Sequence, residues 1–200
     1  MKRIGKVSLV LLAAVIVPSR SAAQLANIAP AGAAIQSSLY PCCGGYPAEL
    51  AIDLDFGNYT ATAPADAAPT WQVDLGKSHD VRKIVLHNRG DGLVPERLRD
   101  ITVLVLAAPG GATAFESDLL NPANALGRPV AIALDLVALT GAGVNGQVVV
   151  VTRKPDPLGV GDAAALLSLG EARTGGTSAR NPSSPWAPAG LRPPGPWKLR

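Results

Sequence analysis

Beyond residue 23 the apolar positions come in short runs separated by turn-forming residues, and no long stretch keeps helical spacing. Trp71-Gln72-Val73-Asp74-Leu75 alternates strictly, so Trp71, Val73 and Leu75 share one face of a half-buried strand that Gly76-Lys77 ends. That face places Trp71 in the core. Ile84-Val85-Leu86, Ile101 to Leu106, Val130 to Leu136 and Val148 to Thr152 predict further strands, each bounded by Gly, Pro, Asn or Asp. The pattern predicts an all-β domain, closed most simply as a sandwich of two antiparallel sheets. Asn121 to Leu126 and Asp162 to Leu167 read equally as helical turns or loops.

The two ends break this pattern. Lys2, Arg3 and Lys6 precede the apolar run Val7 to Val17, which is followed by Pro18 and the small residues Ser21-Ala22-Ala23. This is the layout of a secretory signal spanning 1–23, and the run is shorter than the roughly 20 residues needed to cross a bilayer. A secreted or periplasmic protein without a transmembrane anchor is expected. After Ala172 the composition turns to Gly, Ser, Pro and Arg, which predicts a disordered tail over 173–200 and a folded unit over 24–172.

Charge follows the same division. The formal net charge is +3, but Lys2, Arg3, Lys6 and Arg20 sit in the signal, and Arg173, Arg180, Arg192, Lys198 and Arg200 in the tail. Every Asp and Glu lies between, so the central region is net acidic. Nucleic-acid binding, which needs clustered cations on the folded surface, is disfavoured. Cys42 and Cys43 are adjacent and cannot close a long loop. A vicinal disulfide, an intermolecular bridge and two free thiols are all compatible with export.

Hydrolytic chemistry lacks its usual parts: His79 and His87 are the only histidines, and no H-E-x-x-H, G-x-S-x-G or phosphate loop is present. Both histidines read as structural, His87 on a strand and His79 in a turn. Gly141 to Gly146 fits G-x-G-x-x-G, but a strand follows it where a dinucleotide site needs a helix. The pattern argues for binding without catalysis.

Three stretches in order carry a family resemblance: Asn27-Ile28-Ala29-Pro30 through Ala48-Glu49-Leu50-Ala51-Ile52-Asp53, then Pro69 to Gly76, then Val85-Leu86-His87-Asn88-Arg89-Gly90-Asp91 with Glu96-Arg97-Leu98. A fourth, Leu166 to Glu171, resembles a closing strand. Together they resemble the discoidin (coagulation factor V/VIII type C) superfamily, and especially its fucose-binding F-type lectin branch. The resemblance implies a jellyroll-like, galactose-binding-domain-like β-sandwich with a ligand site on loops at one end.

It also implies a calcium ion under those loops, at positions matching the Leu50 carbonyl, Asp53, Asp55, Asn58, the Gly170 carbonyl and Glu171. All are oxygen donors, as a hard cation requires; Leu54 stands where the family has glycine. For sugar, the branch uses a histidine and two arginines in an Arg-Gly-Asp-Cys-Cys-x-Glu-Arg motif. Arg89 and Arg97 match the arginines, with Asp91 and Glu96 placed to orient them. The motif's cysteines are replaced by Gly92-Leu93-Val94-Pro95, and the histidine position falls on Ala61.

The expected function is thus an exported, non-catalytic carbohydrate-binding module whose loop arginines hydrogen-bond the hydroxyls of a glycan. The alternative is a protein- or surface-adhesion module, contacting a cell-surface partner through the loops or through Trp186 and Trp197 of the basic tail.

Overall fold

The computed structural model describes residues 25–90, 94–155 and 165–178. The expected signal (1–23), Asp91 and residues 179–200 of the expected tail lie outside the described residues.

In chain order the elements are β1 (Ala26–Asn27), β2 (Ala33–Gln36), β3 (Thr60–Ala61), β4 (Thr70–His87), β5 (Ile101–Leu106), β6 (Thr113–Glu116), β7 (Ala131–Asp135), α1 (Leu136–Thr140), β8 (Val144–Arg153), β9 (Ser168–Leu169) and β10 (Glu171–Ser178). Single 3-10 turns occupy Ala29–Ala31, Ala48–Ala51, Pro95–Arg97 and Pro122–Asn124. The fold is all-β, as the alternation predicts, and a jellyroll-like sandwich, as the family resemblance implies.

Its organiser is the 18-residue β4. The expected strands at Trp71–Leu75 and Ile84–Leu86 are its two ends and not separate elements. Gly76, at φ 78°, and a register shift between Asp74 and His79 interrupt the ladder with β8 without ending the strand. The near half pairs with β2 and β8, while the far half pairs with β10 and β7. One strand thereby serves both layers. β8 continues to β5 and β5 to β6, while β1 edges β10.

Alternation puts Trp71, Val73, Leu75, Ile84 and Leu86 into the core with Ile101, Val103, Val105, Val149 and Val151. Each such burial contributes roughly 1.5–3 kcal/mol. The Trp71 indole N–H donates to the Ala48 carbonyl at 2.9 Å, so its polar atom is satisfied inside.

Three expectations need correction. The strand expected at Val130–Leu136 spans Ala131–Asp135, because Val130 stays exposed and Asp135 caps α1 by accepting from the Ala138 N–H at 3.0 Å. His79 lies buried within β4 and not in a turn. The tail does not begin at Arg173: Arg173 to Ser178 continue β10 along β4, with a bulge at Gly175/Gly176. Main-chain pairing to an existing strand needs no apolar run, so a Gly- and Thr-rich segment joins the sheet.

The G-x-G-x-x-G stretch is the end of α1, capped by Gly141 at φ 81°, and the start of β8. Among the described residues no helix is long and apolar enough to cross a membrane.

Candidate functional site

Arg89 lies two residues beyond the end of β4 at His87, and Arg97 closes the 3-10 turn Pro95–Arg97. Both are buried, at 7% and 8% exposure. They line one cavity of about 230 Å³ with Tyr40, Cys42, Tyr46, Tyr59, Ala61 and Val94. The Arg89 guanidinium lies 3.6 Å from the centre of the Tyr59 ring. Tyr59 stacks on Tyr46 at 4.6 Å and 15°, and Tyr46 meets Tyr40 edge-on at 5.8 Å. The cation thus caps a short aromatic stack, which holds its plane and partly offsets its burial.

Gln36, at the end of β2, builds the wall behind the stack. Its amide donates to the carbonyls of Ser38, Tyr46 and Ala61 at 2.7, 3.2 and 3.0 Å, and its oxygen accepts from the Thr60 hydroxyl. The Ala61 N–H donates to the Tyr46 carbonyl and the Tyr40 N–H to the Ala61 carbonyl, both at 3.1 Å. One amide therefore ties together the segments that present the three tyrosines.

Cys42 and Cys43 are joined to each other, which decides among the three states the sequence permits. The pair is carried on the segment after β2, and Cys42 lines the cavity that holds the two arginines. Sequence reading missed Tyr40, Cys42, Tyr46 and Tyr59 as site residues. The available signal was the run of tyrosines flanking an adjacent cysteine pair, with Tyr59 next to the position expected to hold histidine. Glu96 shares the turn of Arg97 and is partly buried; Asp91 lies outside the described residues.

The oxygen-rich candidates gather at a second place. Leu50 sits in the 3-10 turn Ala48–Ala51 that leads into the 53–58 loop. There the Asp53 carboxylate accepts from the Asp55 N–H at 2.9 Å and the Asn58 amide at 2.7 Å, and Asp55 accepts from the Gly57 N–H at 2.8 Å. Gly170 precedes Glu171 at the start of β10. A Cβ on Gly170 would stand 2.4 Å from the Asn88 carbonyl oxygen, so only glycine lets this chain pass the Arg89 segment.

Glu171 is fully buried, and both its carboxylate oxygens lack a hydrogen-bond partner, as does the Asn58 amide oxygen. Burial pushes its pKa up to about 7, helped by the charge of Asp53 and opposed by the Leu54 N–H and by Arg173. The Arg173 Nε stands 3.9 Å away. Among the described residues no three His, Cys, Asp or Glu side chains converge on one point. The fit to a hard divalent cation rests instead on unpartnered buried oxygens beside a carboxylate loop. Leu54, at φ 70°, occupies the left-handed region that favours glycine.

Against known proteins, the family model described as an F5/F8 type C, NedA-like galactose-binding domain matches residues 50–123, a span holding both arginines and the 53–58 loop. Over that span the folded domain is similar to this family. This domain is similar to the lectin domain of lectinolysin complexed with Lewis B antigen, at 27% identity and TM-score 0.59, covering 76% of this chain and 96% of that one. It shares its fold with a fucose-binding module from Streptococcus pneumoniae, at 22% identity and TM-score 0.59, covering 75% and 97%. The same holds for a fucolectin from striped bass (Morone saxatilis) serum, at 24% identity and TM-score 0.56, covering 75% and 48%. No curated protein matches the chain.

Proposed function

We propose that the chain is an exported carbohydrate-binding module that holds a glycan without turning it over, with Arg89 and Arg97 donating to sugar hydroxyls. The observation that carries this reading is the convergence of two buried arginines, eight residues apart in sequence, in one cavity walled by three tyrosines and Cys42. A guanidinium offers fixed, coplanar donors suited to vicinal hydroxyls, and the rings and sulfurs offer apolar surface to the C–H face of a sugar. The relatives named for fucose and Lewis B binding support the glycan class. The signal-like N-terminus supports a secreted or periplasmic location.

Ala61 contributes no side-chain hydrogen bond where the resemblance places histidine. Discrimination among sugars then falls on the two arginines, and fucose is not assigned.

A calcium ion on Asp53, Asp55, Asn58 and Glu171, with the Leu50 and Gly170 carbonyls, would supply positive charge to the buried carboxylate. The chain's own residues do the rest: Asp53 and Asp55 hold the 53–58 loop in shape, and Gly170 sets the Asn88–Arg89 segment against it.

The test is a glycan array probed with the exported chain in calcium and in chelator. Native protein binds a defined subset of glycans, and Arg89→Ala, folded by circular dichroism, loses them. No binding by native protein in either condition, or undiminished binding by the variant, overturns the proposal.

A further inference from the structure

On the other side of Arg89 lies a second cavity, of about 310 Å³, walled by Phe56, the end of β4 from His87 to Gly90, and Arg128 to Val130. Its walls are tied to one another. The Asn88 N–H donates to the Val130 carbonyl and its side-chain amide to the Pro129 carbonyl, both at 2.9 Å. A Cβ on Gly90 would meet the Phe56 carbonyl oxygen at 2.4 Å, so glycine is what lets those two segments close.

Its chemistry differs from that of the first cavity. Among the described residues the lining carries two guanidinium groups, Arg89 and Arg128, and no carboxylate. Arg128 is exposed and makes no hydrogen bond or ion pair with the described residues. Arg173 stands over the Phe56 ring at 4.7 Å, and His87 meets the same ring edge-on at 4.9 Å. Burial, and then the charge of Arg173, hold the His87 pKa below its ordinary value. The nearest acid across the ladder is Glu171, paired with His87 and wholly buried. Phe56 and Val130, 42% and 83% exposed, add apolar surface at the mouth.

We propose that this cavity is a subsite for an acidic sugar unit, one bearing a carboxylate or a sulfate ester, linked to the unit that Arg89 and Arg97 hold. The inference rests on the carbohydrate reading above, since Arg89 is the wall common to both cavities. A carboxylate or sulfate presents two coplanar or near-coplanar oxygens, which a guanidinium matches with paired N–H donors. Arg128 is the side chain available for this, and Phe56 offers a ring against the C–H face of the same unit. The two cavities together fall within the roughly 300–1,000 Å³ usual for small-ligand sites.

The experiment uses the full exported chain and an array of galactosyl and fucosyl cores, each present in neutral, sulfated, sialylated and uronic-acid-terminated forms. Native protein binds the acidic forms about tenfold more tightly at low salt, as one added charge-assisted hydrogen bond predicts, and the preference shrinks as salt rises. Arg128→Ala loses the preference but keeps neutral binding, and Arg128→Glu reverses it. Neutral binding with no gain from the acidic group, or a preference that survives in Arg128→Ala, overturns this inference and leaves the carbohydrate reading standing. Failure to bind any glycan overturns both.

Discussion

Two charged sites sit on either side of the same strand end and handle burial differently. Arg89 is 7% exposed and rests on the face of Tyr59, backed by Tyr46 and Tyr40. Glu171 is fully buried, with Arg173 Nε 3.9 Å from its carboxylate and no side-chain hydrogen bond to either oxygen. A guanidinium is weakly hydrated and planar, so an aromatic stack can shelter it while its edge remains a donor. A carboxylate has no such option. It needs hydrogen bonds, a cation or a proton, which is why its pKa rises to about 7. The arginine is therefore sheltered by the side chains around it, whereas the carboxylate has only the distant guanidinium of Arg173 to offset its burial.

The largest effect that sharpens this contrast is at the arginine. Arg89→Ala should weaken glycan binding by about 100-fold, since two charge-assisted bonds of roughly 1.5–3 kcal/mol each are at stake; isothermal titration with an array-identified glycan measures it. Second comes the carboxylate. If a cation completes the site, calcium at about 100 times its dissociation constant should stabilise the fold by about 2.7 kcal/mol, seen as a rise in Tm. Glu171→Gln should remove that rise. A calcium-independent Tm in the native protein would break the comparison by showing that Glu171 is held without a cation.

Gln36→Ala should cost about 1–3 kcal/mol, because it leaves carbonyls of Tyr46 and Ala61 short of a donor. Urea unfolding gives that cost, and a loss of glycan binding larger than for a distant variant of equal stability would show that the wall positions the tyrosines. The smallest effect is at Leu54, which is 53% exposed and sits at φ 70°. Leu54→Gly should stabilise by about 1 kcal/mol or less, the relief of a left-handed side chain being partly offset by a looser unfolded state. The midpoint of the same urea titration reads it.

Arg89 and Arg97 could be singled out because a short linear motif holds both, and the structure brings them to one cavity; Asp53, Asp55, Asn58 and Glu171 were singled out only through the family resemblance. The aromatic stack was not. Its members come from positions 40, 46 and 59, which share no periodicity, and they meet where the Gln36 side chain and main-chain bonds through Ala61 tie distant segments together. The cysteine pair was visible as a pair, but its place beside the arginines depends on that same wall. β10 was cut short for a related reason: Arg173-Thr174-Gly175-Gly176 has no apolar rhythm, and it is β4 that recruits it.

Alternation along the chain determined that the domain is all-β and that Trp71, Val73 and Leu75 face inward, because side-chain direction in a strand follows from sequence parity alone. Only the tertiary structure decided that β4 is one strand serving two layers, that three tyrosines and Cys42 wall the arginine cavity, and that Glu171 is fully buried with Arg173 3.9 Å away. Those outcomes depend on main-chain pairing and on contacts between distant segments, and neither leaves a local pattern in the residues that make them.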